Sequence, residues 1–214
     1  MAISTSRSTH SGDEPDDPAT WERDEGSGAG RTAIEWVVVV AAAVLVALLI
    51  KTFIMQAFYI PSASMEPTLL TNDRVLVNKL SYRLHDVNRG DVVVFERPTV
   101  EGTDQITDII KRVIALPGEQ VFFEDDKVFI NGEQLSEPYL PPGTATTPAP
   151  RELAGNGQQC LRDEPCSIPT GSVWLMGDNR TNSQDSRYIG PVALDVLVGR
   201  AFVTIWPPSR IGGL

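Results

Sequence analysis

Cysteine and histidine are scarce in this chain of 214 residues, and this restricts the metal sites and catalytic triads that it can build. The cysteines are Cys160 and Cys166, and the histidines are His10 and His85. Two thiols supply only half of the ligands of a structural zinc ion, so the sequence predicts no metal site. His10 lies in a polar N-terminal stretch and His85 in a polar loop, so a Ser-His-Asp triad is poorly supported.

Basic residues are also few, which argues against nucleic acid as a partner. The chain has 18 Lys and Arg against 28 Asp and Glu, with a formal net charge of −10. Binding to a phosphate backbone requires clustered Lys and Arg, so no nucleic-acid partner is predicted. An acidic surface is usually a solubility feature, and it indicates no function by itself.

The N-terminal part of the chain divides into a polar stretch and an apolar one. Residues 1–32 are rich in Ser, Thr, Gly, Asp and Glu, which predicts a disordered acidic tail. Residues 36–50 are all apolar, with Glu35 and Lys51 at their ends, so a transmembrane anchor is predicted over 33–56. A buried core helix rarely lacks a polar face for so long. A cleavable signal peptide would normally follow a short basic leader rather than a long acidic tail.

After the anchor the pattern changes to short runs rich in β-branched and aromatic residues. They predict a mostly β domain over 57–214, an antiparallel sheet or barrel-like fold, because no helices alternate with the strands. The acidic turn at 124–127 predicts a hairpin. Residues 138–171, rich in Pro, Gly and Thr, are predicted to be an irregular insertion. Candidate strands cover residues 57–60, 74–80, 91–95, 108–115, 121–123, 128–130, 172–176 and 198–206.

Two residues in this domain suggest nucleophilic catalysis when they are considered together. A serine hydroxyl such as that of Ser64 needs a base to take its proton, and a lysine can serve if burial lowers its pKa. Lys111 is suited to this role because apolar residues flank it in a candidate strand. Taken alone, Ser64 is typical of a turn, Lys111 of a solvated strand, and the segment 177–187 of a polar loop. Their joint occurrence in this order favours catalysis.

The order of these segments resembles the bacterial type I signal peptidases, which are membrane-bound Ser/Lys endopeptidases. The matching segments are 61–69 (Pro-Ser-Ala-Ser-Met-Glu-Pro-Thr-Leu), 90–95, 111–119 and 177–187 (Gly-Asp-Asn-Arg-Thr-Asn-Ser-Gln-Asp-Ser-Arg), which follow the predicted anchor. The first and last are long, specific patterns. The resemblance implies that the protein removes N-terminal signal peptides after Ala-x-Ala sites through a serine acyl-enzyme, without metal or organic cofactor.

The resemblance also implies a role for each matching residue. Ser64 matches the nucleophile and Lys111 the general base. Ser62 matches the serine whose hydroxyl forms the oxyanion hole together with the backbone N–H of Ser64, since donors must point to where charge develops. Ser183 matches the serine that hydrogen-bonds the lysine amine and orients it.

Further matching residues imply structural support and substrate binding. Gly177 leaves space beside the lysine, and Asp178, Asp185 and Arg187 match a structural ion-pair cluster. Small residues before the cleavage site require shallow apolar pockets and strand-like pairing. The residues implied for these pockets and strands are Phe58, Ile60, Pro61, Met65, Leu69, Asp108, Ile109 and Ile110. For Leu69 a plain core position is weighed equally.

The location implied by the resemblance is the cell membrane, with one span, a cytoplasmic N-terminus and the catalytic domain on the extracytoplasmic face. The implied partners are signal peptides of secreted preproteins, the lipid bilayer and the secretion translocase. The two cysteines are either free thiols or a bridge. An extracytoplasmic domain favours the Cys160–Cys166 disulfide.

Two other functions fit parts of the pattern. An autoproteolytic repressor-type Ser/Lys protease would use similar chemistry on a related β domain, but the predicted anchor and acidic N-terminus argue against it. A non-catalytic, membrane-tethered β binding module would leave the pairing of Ser64 with Lys111 unexplained. A penicillin-recognising enzyme needs Ser-x-x-Lys, and Pro67 occupies that lysine position.

Overall fold

The structure, a computed structural model, describes residues 26–97, 107–148 and 165–214. Helix α1 covers Gly26–Phe53. Its stretch Thr32–Ile50 has a mean hydropathy of 2.8 and no buried residue, so by length and composition it can cross a bilayer. The helix begins inside the segment predicted as a tail, because extending an existing helix costs little. Residues 1–25 of that predicted tail lie outside the described residues.

The described part of the rest of the chain is mostly β-structure, as predicted. Its strands, in chain order, are β1 (Met55–Tyr59), β2 (Arg74–Asn78), β3 (Val92–Arg97), β4 (Thr107–Ala115), β5 (Gln120–Glu124), β6 (Lys127–Ile130), β7 (Glu133–Gln134), β8 (Cys166–Ser167), β9 (Ser172–Met176), β10 (Val192–Ala193), β11 (Leu197–Trp206) and β12 (Gly212–Gly213). Two short helices, α2 (Ser81–Leu84) and α3 (Ser186–Ile189), accompany them.

The strands form two antiparallel sheets. The larger runs in the order β1-β2-β11-β3-β4-β9-β10, with β12 beside β11, and the smaller runs β7-β6-β5-β8. The path of the larger sheet begins at β1 and ends at β10, so it is an open, half-barrel sheet rather than a closed barrel. The predicted hairpin is confirmed: β5 pairs with β6, and Asp125 and Asp126 both have positive φ, as a tight hairpin turn requires.

Side chains cover the larger sheet on both faces near β3. Val92 and Val94 belong to one buried cluster, and the alternating Val93 and Phe95 belong to another. Successive strand residues point to opposite faces, so both faces of β3 are buried. This explains why 92–95 is a continuous apolar run rather than an alternating one. Its neighbour β4 carries Lys111, paired in register with Val93.

The described part of the predicted irregular insertion, 138–171, contains one strand that sequence patterns did not reveal. Strand β8 pairs with Gln120 and Val121 of β5, so its extended form depends on a tertiary partner. Residues 138–148 contain no strand, as predicted, whereas 149–164 lie outside the described residues. The predicted domain boundaries after residues 32 and 56 stay predictions.

Candidate active site

Ser64 lies on a short turn that buried apolar side chains hold in place. Pro61 follows the end of β1, and the 3-10 helix Ala63–Met65 then carries Ser64, which is 9% exposed. Met65 and Leu69 are both 0% exposed and pack in the buried cluster beside β2 and β3. Met65 and Leu69 therefore fix the turn to the buried core, and Ser64 lies at the edge of that core.

Lys111 reaches this turn from β4. Its Nζ donates to Ser64 Oγ at 2.6 Å and to the Ile110 carbonyl oxygen at 2.8 Å. The side chain is buried, with 3% exposed. Among the described residues no carboxylate forms an ion pair with Nζ, so the serine hydroxyl is its nearest polar side-chain group.

Burial lowers the pKa of Lys111 from its ordinary 10.5 to about 8. Loss of hydration of the ammonium is the main cause, and the carboxylates of Asp185 and Asp178 oppose it by raising the pKa. About a tenth of the lysine is then neutral at pH 7, compared with about one part in three thousand at the ordinary value. A neutral amine 2.6 Å from Ser64 Oγ is placed to accept the serine proton.

Ser62 supplies a second hydroxyl beside Ser64. It occupies the N-cap position of the 3-10 helix but makes no capping hydrogen bond from its side chain. A serine at an N-cap position usually accepts a hydrogen bond from a backbone N–H of the helix. The Ser62 hydroxyl does not, so it is available to bind another group. Its Oγ lies 3.4 Å from Ser64 Oγ, close enough to donate to an oxygen bound beside Ser64.

Ser183 lies near the pair but does not form the hydrogen bond to the lysine that the resemblance implied. Its Oγ is buried and has no hydrogen-bond partner among the described residues, while Lys111 Nζ bonds Ser64 and Ile110. A Cβ added to Gly177 would overlap the Ser183 side chain and the Ser64 carbonyl oxygen, which places all three together. The orienting role of Ser183 stays a prediction.

The predicted ion-pair cluster is divided into two units. Asp185 accepts from the Arg187 guanidinium at 2.9 Å and from the Gly177 N–H at 3.0 Å. Asp178 accepts instead from Arg112, at 2.8 and 2.7 Å. Both carboxylates are buried, so these paired charges hold the 177–187 segment rigidly behind the lysine.

Sequence reasoning did not identify several residues that join the three motifs. Thr68 donates to Asp178 at 2.5 Å and so links the serine motif to the 177–187 segment. Asn179 holds the turn that carries Ser64. Its N–H donates to the Ser64 carbonyl oxygen at 3.1 Å, and its Nδ2 donates to the Ala63 carbonyl oxygen at 3.0 Å. The one feature of the sequence that could have pointed to Thr68 and Asn179 is their position, since both lie inside the matched motifs.

A buried arginine connects the same segment to the region after β7. Arg180 donates to the Gly177 carbonyl oxygen at 3.1 Å and to Thr146 at 2.6 Å, and it pairs with Glu137. The Tyr139 ring lies 4.0 Å from the Arg112 guanidinium. Part of the predicted insertion is therefore a brace for the site rather than a free excursion.

An apolar cavity of about 210 Å³ adjoins the lysine. Its walls include six of the predicted substrate-binding residues, namely Phe58, Ile60, Pro61, Asp108, Ile109 and Ile110. Met65 and Leu69 are not among its lining residues and belong to the core cluster behind the turn. Their predicted contact with substrate stays a prediction.

No group of three or more potential metal ligands occurs within the described ranges. Cys166 is disulfide-bonded. Cys160 lies outside the described residues, so the predicted pairing stays a prediction.

Comparison with known proteins decides the family. The family model described as signal peptidase, peptidase S26, matches residues 33–206. The chain belongs to this family. It is 42% identical over 171 residues to the probable signal peptidase I-2 of Synechocystis sp., covering 79% of this chain and 72% of that protein.

Other relatives agree with this assignment. The signal peptidase I of Leptolyngbya laminosa is 39% identical over 187 residues, which cover 85% of this chain and 83% of that one. The signal peptidase I T of Bacillus subtilis is 35% identical over 178 residues, which cover 82% and 86%. A crystal structure of a signal peptidase I from Enterococcus faecalis V583 matches with a TM-score of 0.41 and 30% identity, covering 54% of this chain and 97% of that chain.

Proposed function

We propose that this member of the family removes signal peptides from exported preproteins, with Ser64 as the nucleophile and Lys111 as the general base. The observation that carries the proposal is the 2.6 Å contact between Lys111 Nζ and Ser64 Oγ, made by a lysine without an ion-pair partner in the described part of the chain. Burial lowers the pKa of that lysine to about 8, so its neutral form is available near neutral pH. The family assignment leaves no support for the repressor-type protease or for a non-catalytic module.

The proposed reaction proceeds through an acyl-enzyme. Neutral Lys111 takes the proton of Ser64, and Oγ attacks the scissile carbonyl carbon. The Ser62 hydroxyl and the Ser64 backbone N–H donate to the oxyanion that develops. The C–N bond then breaks, and the Lys111 ammonium returns its proton to the departing amine. Neutral Lys111 then takes a proton from water, and the water oxygen attacks the ester carbonyl carbon. The bond from this carbon to Ser64 Oγ breaks, Oγ regains its proton from the Lys111 ammonium, and the signal peptide leaves with a new carboxyl group.

Substrate selection follows from the shape of the apolar cavity. The cavity measures about 210 Å³, and most of its lining residues are apolar, so it suits uncharged side chains such as alanine. The edge strand β1 ends at Tyr59, two residues before Pro61, and Asp108, Ile109 and Ile110 form part of β4. A substrate segment in extended form would pair with this backbone and place alternate side chains in the cavity. Ala-x-Ala sites satisfy both requirements.

We further propose that α1 anchors the protein in the cytoplasmic membrane, with the N-terminus inside and the peptidase domain on the outer face. The apolar stretch Thr32–Ile50 supports the anchor, and confining enzyme and preprotein to one bilayer raises their effective concentration. The translocase that delivers preproteins to that face is the proposed partner.

Cleavage of a preprotein by the purified full-length chain in detergent tests this function. We expect Ser64→Ala and Lys111→Ala each to lower kcat/KM by about a thousandfold or more, because nucleophile and base act as one unit. The exposed Ser167→Ala and Lys127→Ala serve as matched controls and should retain full activity. Full activity of either Ser64→Ala or Lys111→Ala would refute the proposed mechanism.

A further inference from the structure

A second cavity meets the apolar one at the reacting pair. It measures about 290 Å³ and includes Ser64, Asn182 and Gln184 among its lining residues, all absent from the lining of the apolar cavity. Ser62, Ile109 and Lys111 line both cavities. The two cavities are therefore adjacent, and the nucleophile opens into the second one.

Asn182 and Gln184 differ from their neighbours in the 177–187 segment. Asp178, Asp185 and Arg187 are buried and bonded within the protein. The side chains of Asn182 and Gln184 are exposed, and they make no hydrogen bond to other described residues. The 177–187 segment thus holds two primary amides beside Ser64, and neither amide takes part in the hydrogen bonds that fix the segment in place.

The position of the departing amine follows from the proton transfer. When the C–N bond breaks, the new amine must take its proton from Lys111, so it lies within hydrogen-bond reach of Nζ. Residues before the scissile bond fill the apolar cavity in the proposed function. The residues after the bond then continue past Ser64 and Lys111, where Asn182 and Gln184 form the remaining polar wall.

We propose that Asn182 and Gln184 form a leaving-side subsite that binds the peptide backbone of the first residues after the scissile bond. A primary amide offers a donor and an acceptor, which match the C=O and N–H groups of a peptide. An enzyme that processes many preproteins meets varied side chains there, and the backbone is their common feature. The proposal rests on the proposed function, since it takes Ser64 as the point of cleavage.

Two substrates that differ only after the scissile bond test the subsite. Both carry the same Ala-x-Ala segment; one ends in a 4-nitroanilide directly after the bond, and the other continues for five residues. For Asn182→Ala and Gln184→Ala in the full-length chain we expect kcat/KM on the extended peptide to fall about 3- to 10-fold, the effect of a lost hydrogen bond. On the nitroanilide, kcat/KM should change by less than about twofold. The exposed control Gln134→Ala should change kcat/KM by less than about twofold on both substrates.

The free leaving-side peptide provides a second measurement. It should inhibit the wild-type protein more strongly than either variant, because it occupies the same subsite as a product. An equal loss on both substrates, or no loss on the extended peptide, would overturn the subsite. Failure of the proposed function is a separate result, since Ser64→Ala would then remain active on both substrates.

Discussion

Replacing Lys111 with Met should make the protein inactive and, at neutral pH, relieve a cost of folding. The lysine is 3% exposed, and burial lowers its pKa from 10.5 to about 8. This difference corresponds to about 3 kcal/mol, at ~1.4 kcal/mol for each tenfold change in the protonation equilibrium. A methionine of similar length fills the same space without a charge to desolvate.

The sign of the pH dependence follows from the depressed pKa in the folded state. Below about pH 8 both states bind the lysine proton, and the full cost of burying the ammonium acts against folding. As pH rises from 8 towards 10.5 the folded protein has lost this proton while the unfolded chain still holds it, so the wild type gains stability. Between pH 7 and pH 9.5 the stability of Lys111→Met relative to wild type should therefore fall by about 2 kcal/mol.

Urea unfolding of the full-length chain in detergent micelles measures this difference. Tryptophan fluorescence follows the unfolding, because Trp174 is 1% exposed and lies in a core cluster of the domain. The lost hydrogen bonds to Ser64 and Ile110 and the changed packing contribute equally at every pH, so they cancel in the comparison. The exposed Lys127→Met serves as control and should show no such trend. A relative stability of Lys111→Met that stays constant or rises with pH would refute the reasoning.

Two further predictions concern the support of the lysine. Asp185→Asn removes a carboxylate that raises the lysine pKa. The acid limb of kcat/KM against pH should therefore move below its wild-type midpoint near pH 8, even though the plateau falls. An unchanged or higher midpoint would contradict this. Gly177→Ala should lower kcat/KM about a hundredfold or more, because its Cβ would overlap a serine side chain and backbone beside the nucleophile. The control Gly171→Ala, with open space at its Cβ position, should remain active, and similar activity of both variants would count against the close approach.

Local patterns were sufficient for most of the β-structure. The candidate strand at 91–95, with its apolar run 92–95, corresponds to β3, and the acidic turn at 124–127 corresponds to the β5–β6 hairpin. Such elements depend on side-chain periodicity and turn chemistry, which are local properties. Strand β8 was missed because its extended form depends on pairing with β5, far away in sequence.

Motif order indicated the family and the candidate pair Ser64 and Lys111, and the apolar run at 36–50 indicated the anchor helix. Tertiary structure decided what no local pattern contains. It placed Lys111 Nζ 2.6 Å from Ser64 Oγ across 47 positions of sequence, paired Asp178 with Arg112, and put Met65 in the core behind the turn. Burial depends on the whole packed domain, and it is burial that lowers the lysine pKa. The sequence therefore indicated the two groups proposed to react, and packing determined their distance and the pKa of the lysine.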